Sequence, residues 1–401
     1  MHCVRTVTEN LYWVGANDHR LALFENIHPI PKGVSYNAYL LLDEKSVLFD
    51  TVDWSACRQL LENLEYLLNG TPLDYLVINH MEPDHCATLG DLLRRWPQVQ
   101  VVGNAKTITM IGQFFDFDLT GRTGVVKEGD TLTTGRHTFT FLMAPMVHWP
   151  ETMVTYDNAD KTLFSADAFG TFGALNGNIF ADQMNFERDW LDDARRYYTN
   201  IVGKYGAQVQ SLLKRAAGME IQMICPLHGP IWRENLEWFL EKYQRWSTYT
   251  PEEKAVAIFC GSIYGHTENA AEILAFRLAE RGVKNVALYD VSHVDVSELV
   301  SEAFRCSHLV LASATYNGGI YTPMEDFLRD LECHGLRNRS VAIIDNGTWA
   351  ARSGMLMGKI LEGMKEMRIM EGAVSLKSSV KESQRRSLEA LADAIADEIQ
   401  H

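Results

Sequence analysis

The feature that most constrains this chain is a change of rhythm near residue 250. Beyond it, short apolar runs recur at 255–260, 286–291, 308–312 and 341–344, and a helix-like segment follows each. Runs this short and this uniformly apolar suit strands buried on both faces of a parallel sheet, which needs helical crossovers between its strands. The segment 268–281 places Ala270, Leu274 and Leu278 on one stripe, and Leu388, Leu391, Ala392, Ile395 and Ile399 form another near the end. With a weaker fifth strand near 373–376, residues 251–401 are expected to form a doubly wound α/β domain of five parallel strands. The polar stretch 247–254, STYTPEEK, reads as the linker before it.

The first 250 residues have a different texture. β-type runs at 11–15, 35–42, 46–52, 74–79, 99–103, 131–144, 152–156 and 162–166 are interspersed with helical patterns at 54–68, 191–202, 209–217 and 234–246. Sheets covered by helices, an α+β domain over 1–250, are expected. No run approaches the roughly 18–20 apolar residues that cross a bilayer, and no apolar leader follows Met1, so a soluble cytoplasmic protein is expected. The net charge of -15 repels polyanions, which argues against nucleic acid and anionic membrane surfaces as partners. Seven scattered cysteines without a C-x-x-C pair indicate neither a disulfide framework nor a thiolate zinc site.

Chemistry concentrates in two places. The apolar run 75–79 ends in His80-Met81-Glu82-Pro83-Asp84-His85, four ligand-type side chains in six residues, with Pro83 limiting the loop's freedom. Imidazole and carboxylate are ligands for divalent metals, and a solvated polar loop accounts poorly for two histidines flanking two carboxylates. His148, Asp167 and His228 each follow a further apolar run, where a strand-rich domain delivers ligands from separate loops. In the second half, Gly261-Ser262-Ile263-Tyr264-Gly265-His266-Thr267 joins the first strand to its helix. Such a hydroxyl-rich loop makes a nest of N–H donors for a phosphate, but it matches neither the ATP nor the dinucleotide fingerprint. The loops 314–321 and 346–350, after the third and fourth strands, add Gly318, Gly319 and Gly347 for close backbone approach to a flat ring, with Tyr316 and Trp349 as stacking faces.

The set H-x-E-x-D-H, then His, Asp and His, resembles the binuclear site of the metallo-β-lactamase superfamily, whose hydrolases have His at the position of Glu82. A carboxylate there makes the site harder and more anionic, favouring iron over zinc. The three later loops resemble flavodoxin. In this order the two modules are similar to the flavodiiron proteins, or A-type flavoproteins, in their minimal class. The resemblance implies a metallo-β-lactamase-like αββα sandwich followed by a flavodoxin-like sheet. It also implies an oxidoreductase that reduces O2 to water or NO to N2O at a non-haem diiron site fed by FMN.

The same resemblance assigns residues. It implies His80, Glu82 and His148 on one iron, Asp84 and His228 on the other, and Asp167 as the bridge. His85 is added to the metal set, its equivalent being a ligand in some members and displaced by solvent in others. FMN phosphate is assigned to Ser262, Ile263, Tyr264, Gly265, His266 and Thr267, and the ribityl chain and ring to Thr315, Tyr316, Asn317, Gly318, Gly319, Asn346, Gly347, Thr348 and Trp349. Glu25, His28 and Tyr198 are candidates for the pocket above the irons. The implied partners are rubredoxin or a similar small electron carrier and a second copy of the chain, in a head-to-tail homodimer or a dimer of dimers. A basic cluster of Lys365, Arg368, Lys377, Lys381, Arg385 and Arg386 is a candidate docking patch for the carrier. A zinc-dependent hydrolase with a flavodoxin-like docking module is the competing reading, and the choice between O2 and NO stays open.

Overall fold

The computed structural model describes residues 1–400, so His401, the last residue of the expected second domain, lies outside the description. The chain divides into two compact units, Met1–Tyr198 with Ala207–Gln244, and Thr199–Gly206 with Arg245–His401.

In the first unit two sheets share one core. The larger runs in the order Arg5–Thr6, Leu11–Trp13, Tyr39–Leu41, Val47–Phe49, Tyr75–Val77, Gln100–Asn104, Thr123–Val126, and its last four strands are parallel. The smaller runs Thr131–Thr133, Thr138–Met143, Met153–Asp157, Thr162–Phe164, Met223–Cys225 and is antiparallel up to its final parallel pair. Phe49 of one sheet stacks on Phe164 of the other at 3.9 Å, and Phe139 meets Phe49 edge-on at 5.1 Å. The expected run 35–42 is two strands, not one. Val34–Tyr36 pairs with Ala16–Asp18, Tyr39–Leu41 pairs with Leu11–Trp13, and Asn37 stands at the break. Its buried amide accepts from Trp13 Nε1 and donates to the Pro226 and Gly229 carbonyls, bonds a continuous ladder would not allow. The run 131–144 is likewise a hairpin, closed where the Thr134 amide donates to His137 O.

The second unit is a parallel sheet in the order Val286–Asp290, Glu253–Gly261, Cys306–Tyr316, Arg339–Asn346, then a fifth position filled by two short pieces. Met367–Ile369 pairs with the start of Arg339–Asn346 and Val374–Leu376 with its end, so the weak fifth strand is a broken one. Alternate side chains feed two cores: Ala257, Phe259 and Leu311 face one, Val256, Ile258 and Val310 the other. The segment Thr199–Gly206 belongs here because Tyr249 Oη donates to Gly203 O at 2.8 Å and His334 Nε2 lies 3.3 Å from Asn200 O. Arg339, 1% exposed, donates to the Tyr249, Ala303 and Phe304 carbonyls, at 2.7, 2.9 and 2.5 Å. A buried arginine thus satisfies carbonyls of the linker and of a helix end, with no carboxylate hydrogen-bonded to it among the described residues.

Candidate functional site

The ligand-type residues of the first unit sit just past strand ends. Asp50, directly after Val47–Phe49, accepts from the Asn79 and His80 amides at 2.7 and 3.2 Å, which pins the chain as it leaves Tyr75–Val77. Pro83 then opens a four-residue helix, Pro83–Cys86, that carries Asp84 and His85. Asp167 and His228 lie three residues past Thr162–Phe164 and Met223–Cys225, and their loops are tied by the Leu227 amide donating to Ala166 O at 3.0 Å.

These loops converge. His80 Nε2 lies 3.2 Å from Glu82 Oε2 and 3.3 Å from Asp167 Oδ2, and His148 Nε2 lies 2.9 and 3.1 Å from the same two oxygens. In a second group His85 Nε2 is 3.1 Å from His228 Nε2, and both face Asp84 Oδ2, at 3.3 and 3.2 Å. Asp167 Oδ1 is 3.1 Å from His85 Nε2. One carboxylate therefore turns one oxygen to each group, and all seven residues of the expected metal set are brought together, His85 included.

The hydrogen bonding behind the imidazoles fixes what they present. His228 Nδ1 donates to Ser35 O at 2.7 Å; a carbonyl can only accept, so a neutral His228 offers a lone pair at Nε2. His80 Nδ1 is held 2.9 Å from Glu151 Oε1 in the same way. Both oxygens of Asp84, Asp167 Oδ1 and His85 Nδ1 are buried without a hydrogen-bond partner among the described residues. Acceptors and lone pairs crowded at about 3 Å repel each other unless a cation lies between them, so the residues present fit a pair of divalent ions held by oxygen and nitrogen. The electrostatics agree. Burial alone would lower His148, yet hydrogen bonds with Asp167 and Glu82 push it up to about 9. Burial opposes charge on Asp167 too, but His85 and His80 hold it well below the carboxylate range. Burial pushes the nearby Cys86 thiol up to about 12, and its Sγ donates to Met81 O at 2.9 Å.

In the second unit a cavity of about 590 Å³ opens at the carboxyl ends of the strands. Thirteen of the fifteen residues expected there line it; Gly265 and Gly319 do not, and Ala314, Ala350 and Ser378 are added. Gly265 acts instead as the left-handed turn (φ 84°) that starts helix His266–Glu280, its amide donating to Ser262 Oγ at 3.1 Å. Gly347 has no room for a side chain, since a Cβ there would lie 2.5 Å from Ala350 O. Tyr264 and Trp349 are 90% and 93% exposed, so they are not core aromatics but free faces at the cavity rim. N–H donors, hydroxyls and free aromatic faces fit a phosphorylated flat-ring ligand such as FMN.

A family profile described as ODP family beta lactamase matches residues 34–229. An uncharacterised protein of Methanocaldococcus jannaschii is 30% identical over 335 residues, 82% of each chain. The anaerobic nitric oxide reductase flavorubredoxin of Shigella flexneri is 28% identical over 390 residues, 96% of this chain and 79% of its own. Among solved structures, rubredoxin oxygen:oxidoreductase from Desulfovibrio gigas superposes with a TM-score of 0.90 at 28% identity, covering 99% of both chains. The flavodiiron protein of Giardia intestinalis shares the fold, with a TM-score of 0.92 at 24% identity over 100% of this chain and 99% of that one. The chain belongs to the flavodiiron protein family.

Within this flavodiiron fold the first unit is the metallo-β-lactamase-like sandwich and the second the flavodoxin-like sheet. Exposure is uneven across the metal set. His80, His85, His228 and Asp167 are at most 1% exposed, and what exposure remains is at Glu82, Asp84 and His148. Glu25 stands there, its carboxyl pushed up to about 8 by burial and then by the charge of Glu82 and a hydrogen bond with it. His28 Nε2 is 3.9 Å from Glu25 Oε2. Tyr198, the third pocket candidate, packs on Tyr243 at 5.0 Å instead, while Tyr197 takes the place beside His228 at 5.5 Å. The shift is the rotation of one residue where helix Leu191–Tyr197 passes into Tyr198–Val202. Glu151, Ser35, Asp50 and Ser378 escaped the sequence reading, since nothing local marks them.

Proposed function

We propose that this chain is a flavodiiron oxidoreductase that reduces O2 to water (O2 + 4e⁻ + 4H⁺ → 2H2O) or NO to N2O (2NO + 2e⁻ + 2H⁺ → N2O + H2O). Two ferrous ions would supply two electrons and reduced FMN two more, which matches one turnover of the first equation or two of the second. The observation that carries the reading is Asp167, one oxygen in each ligand group, with a carboxylate, Glu82, completing the first. His80, Glu82 and His148 would hold one iron and Asp84, His85 and His228 the other, with Glu151 and Ser35 fixing the ring orientations from behind. Ser262, Tyr264, His266 and Thr267 would receive the FMN phosphate, and Thr315 to Gly318 with Asn346 to Trp349 would hold the remainder. A rubredoxin-type carrier is the electron donor.

The two sites lie in different units, and we place the flavin of one subunit beside the metals of its partner in a head-to-tail homodimer. The exposed rim aromatics Tyr264 and Trp349 support this. No helix among the described residues is long and apolar enough to cross a membrane, in keeping with a cytoplasmic location. The test is anaerobic reduction of protein of known iron and flavin content, followed by separate mixing with O2 and NO. Flavin reoxidation by either gas, with N2O formed from NO, is the expected outcome. Stoichiometric zinc in protein made with ample iron, absence of FMN, or a flavin that neither gas reoxidises would overturn the reading. The dimer is tested by mixing an Asp167→Ala subunit with a flavin-deficient one, which should restore turnover.

A further inference from the structure

A hairpin too small to hold its own position lies against the metal-ligating residues. Its strands, Leu23–Phe24 and His28–Pro29, have two residues each, and Glu25 and Asn26 at its tip both adopt left-handed φ, 50° and 57°. Isolated two-stranded ribbons are marginal even when longer, so the geometry must be imposed from outside. What the hairpin carries matters to the site: Phe24 meets His228 edge-on at 5.3 Å, and Glu25 lies against Glu82.

The outside support is Arg196, on helix Leu191–Tyr197 and 5% exposed. Its guanidinium lies 4.6 Å over the Phe172 ring, the same ring that Phe24 meets at 5.4 Å and His28 at 6.2 Å. Its Nη1 donates to Pro29 O at 2.8 Å, and Nη2 is 3.6 Å from Asp193 Oδ1. The other oxygen of Asp193 accepts from Lys32 Nζ at 2.6 Å, just past the end of the hairpin. One planar cation thus grips the hairpin's exit strand, the ring beneath it and the carboxylate that also anchors Lys32.

We propose that Arg196 is a positioning residue that latches the 23–29 hairpin over the metal pocket, with Asp193 and Lys32 as a second point of attachment, and so sets the width of the passage by which a small substrate reaches the metals. The inference rests on the reading of that pocket as a metal site for a diatomic substrate. Arginine suits the role because its fork can donate in two directions while its face stacks, whereas a lysine ammonium can serve only one of these partners well.

The test uses full-length protein carrying iron and FMN, compared with Arg196→Met, Arg196→Lys and Asp193→Asn. Amide hydrogen exchange is read for peptides covering 22–31 and for control strands Val47–Phe49 and Tyr75–Val77, and iron loss is timed against a hydrophilic chelator. Loss of a charge-assisted hydrogen bond should speed exchange in 22–31 about 10–100-fold in Arg196→Met, with unchanged controls. Iron and FMN content should be retained, and the chelator should strip iron about tenfold faster or more. Arg196→Lys and Asp193→Asn should fall between. Unchanged exchange in 22–31 would overturn the latch, as would an equal rise in all three segments, which marks a general loss of stability. If Arg196→Met does not fold, Asp193→Asn decides by the same criteria. The exchange measurement needs neither turnover nor a particular gas, so a failed latch and a failed reductase reading give different results.

Discussion

Glu82 faces two imidazoles with a single oxygen, and that oxygen is what separates this site from a row of histidines. Glu82→His would leave a softer, less anionic first group. Metal analysis of the variant should show zinc displacing iron, and turnover with O2 or NO should be lost. Full iron and turnover would mean that the carboxylate does not select the metal. Glu151 acts one step further back, holding His80 Nδ1 at 2.9 Å and also accepting from the Met81 amide. Glu151→Ala is expected to weaken iron binding about 10–100-fold in a competition titration, and Glu151→Gln, which keeps an acceptor, to weaken it less. The contrast between these residues explains what could be read from the chain. Seven ligand-type residues stand out because a binuclear site demands rare residue types at strand ends. Glu151 does not, because it reaches His80 from 71 positions away and any surface glutamate looks the same in sequence.

At the scale of elements, the loops were more legible than the strands that carry them. The 346–350 loop could be anticipated from Gly347, and the space around it shows why: a Cβ would lie 2.5 Å from Ala350 O and 2.7 Å from the Ala351 amide. Gly347→Ala should therefore displace the loop and weaken FMN about tenfold or more in a flavin titration, while far-UV circular dichroism and iron content stay as in the parent. Ser378, which accepts from Asn346 and also donates to it, was out of reach because it enters from beyond the broken fifth strand. That break was itself hidden, since neither three-residue piece is long enough to leave a periodic pattern. The runs 35–42 and 131–144 each look like one strand in sequence for a related reason. A turn made by a buried Asn37, or by a four-residue hairpin, interrupts the ladder without interrupting hydrophobicity.

For the whole molecule, the charge pattern decides where an acidic carrier can dock. The six basic residues taken as one patch divide between opposite ends of the second unit. Arg368 pairs with Glu398 and with Ser340 at the start of strand Arg339–Asn346, whereas Lys377 follows the strand piece paired with that strand's end, about 20 Å away at about 3.3 Å per residue. Arg385 and Arg386 are moreover ion-paired with Glu382 on their own helix. Lys377 and Lys381, exposed and beside Ser378 of the flavin cavity, remain as the cations at the useful end. Lys377→Glu with Lys381→Glu should thus slow reduction by a rubredoxin-type donor and flatten its dependence on ionic strength, while Lys365→Glu should do neither. Equal effects from both ends would point to long-range attraction without a defined docking face. The segment Thr199–Gly206 has a different kind of consequence. Tyr249 and His334 reach into it, so the flavodoxin-like unit is not one uninterrupted stretch of gene. A crossover that swapped everything after residue 244 for a relative's half would inherit a socket without its plug. Lineages that trade these modules must therefore carry the two pieces together, or evolve a new plug at the splice.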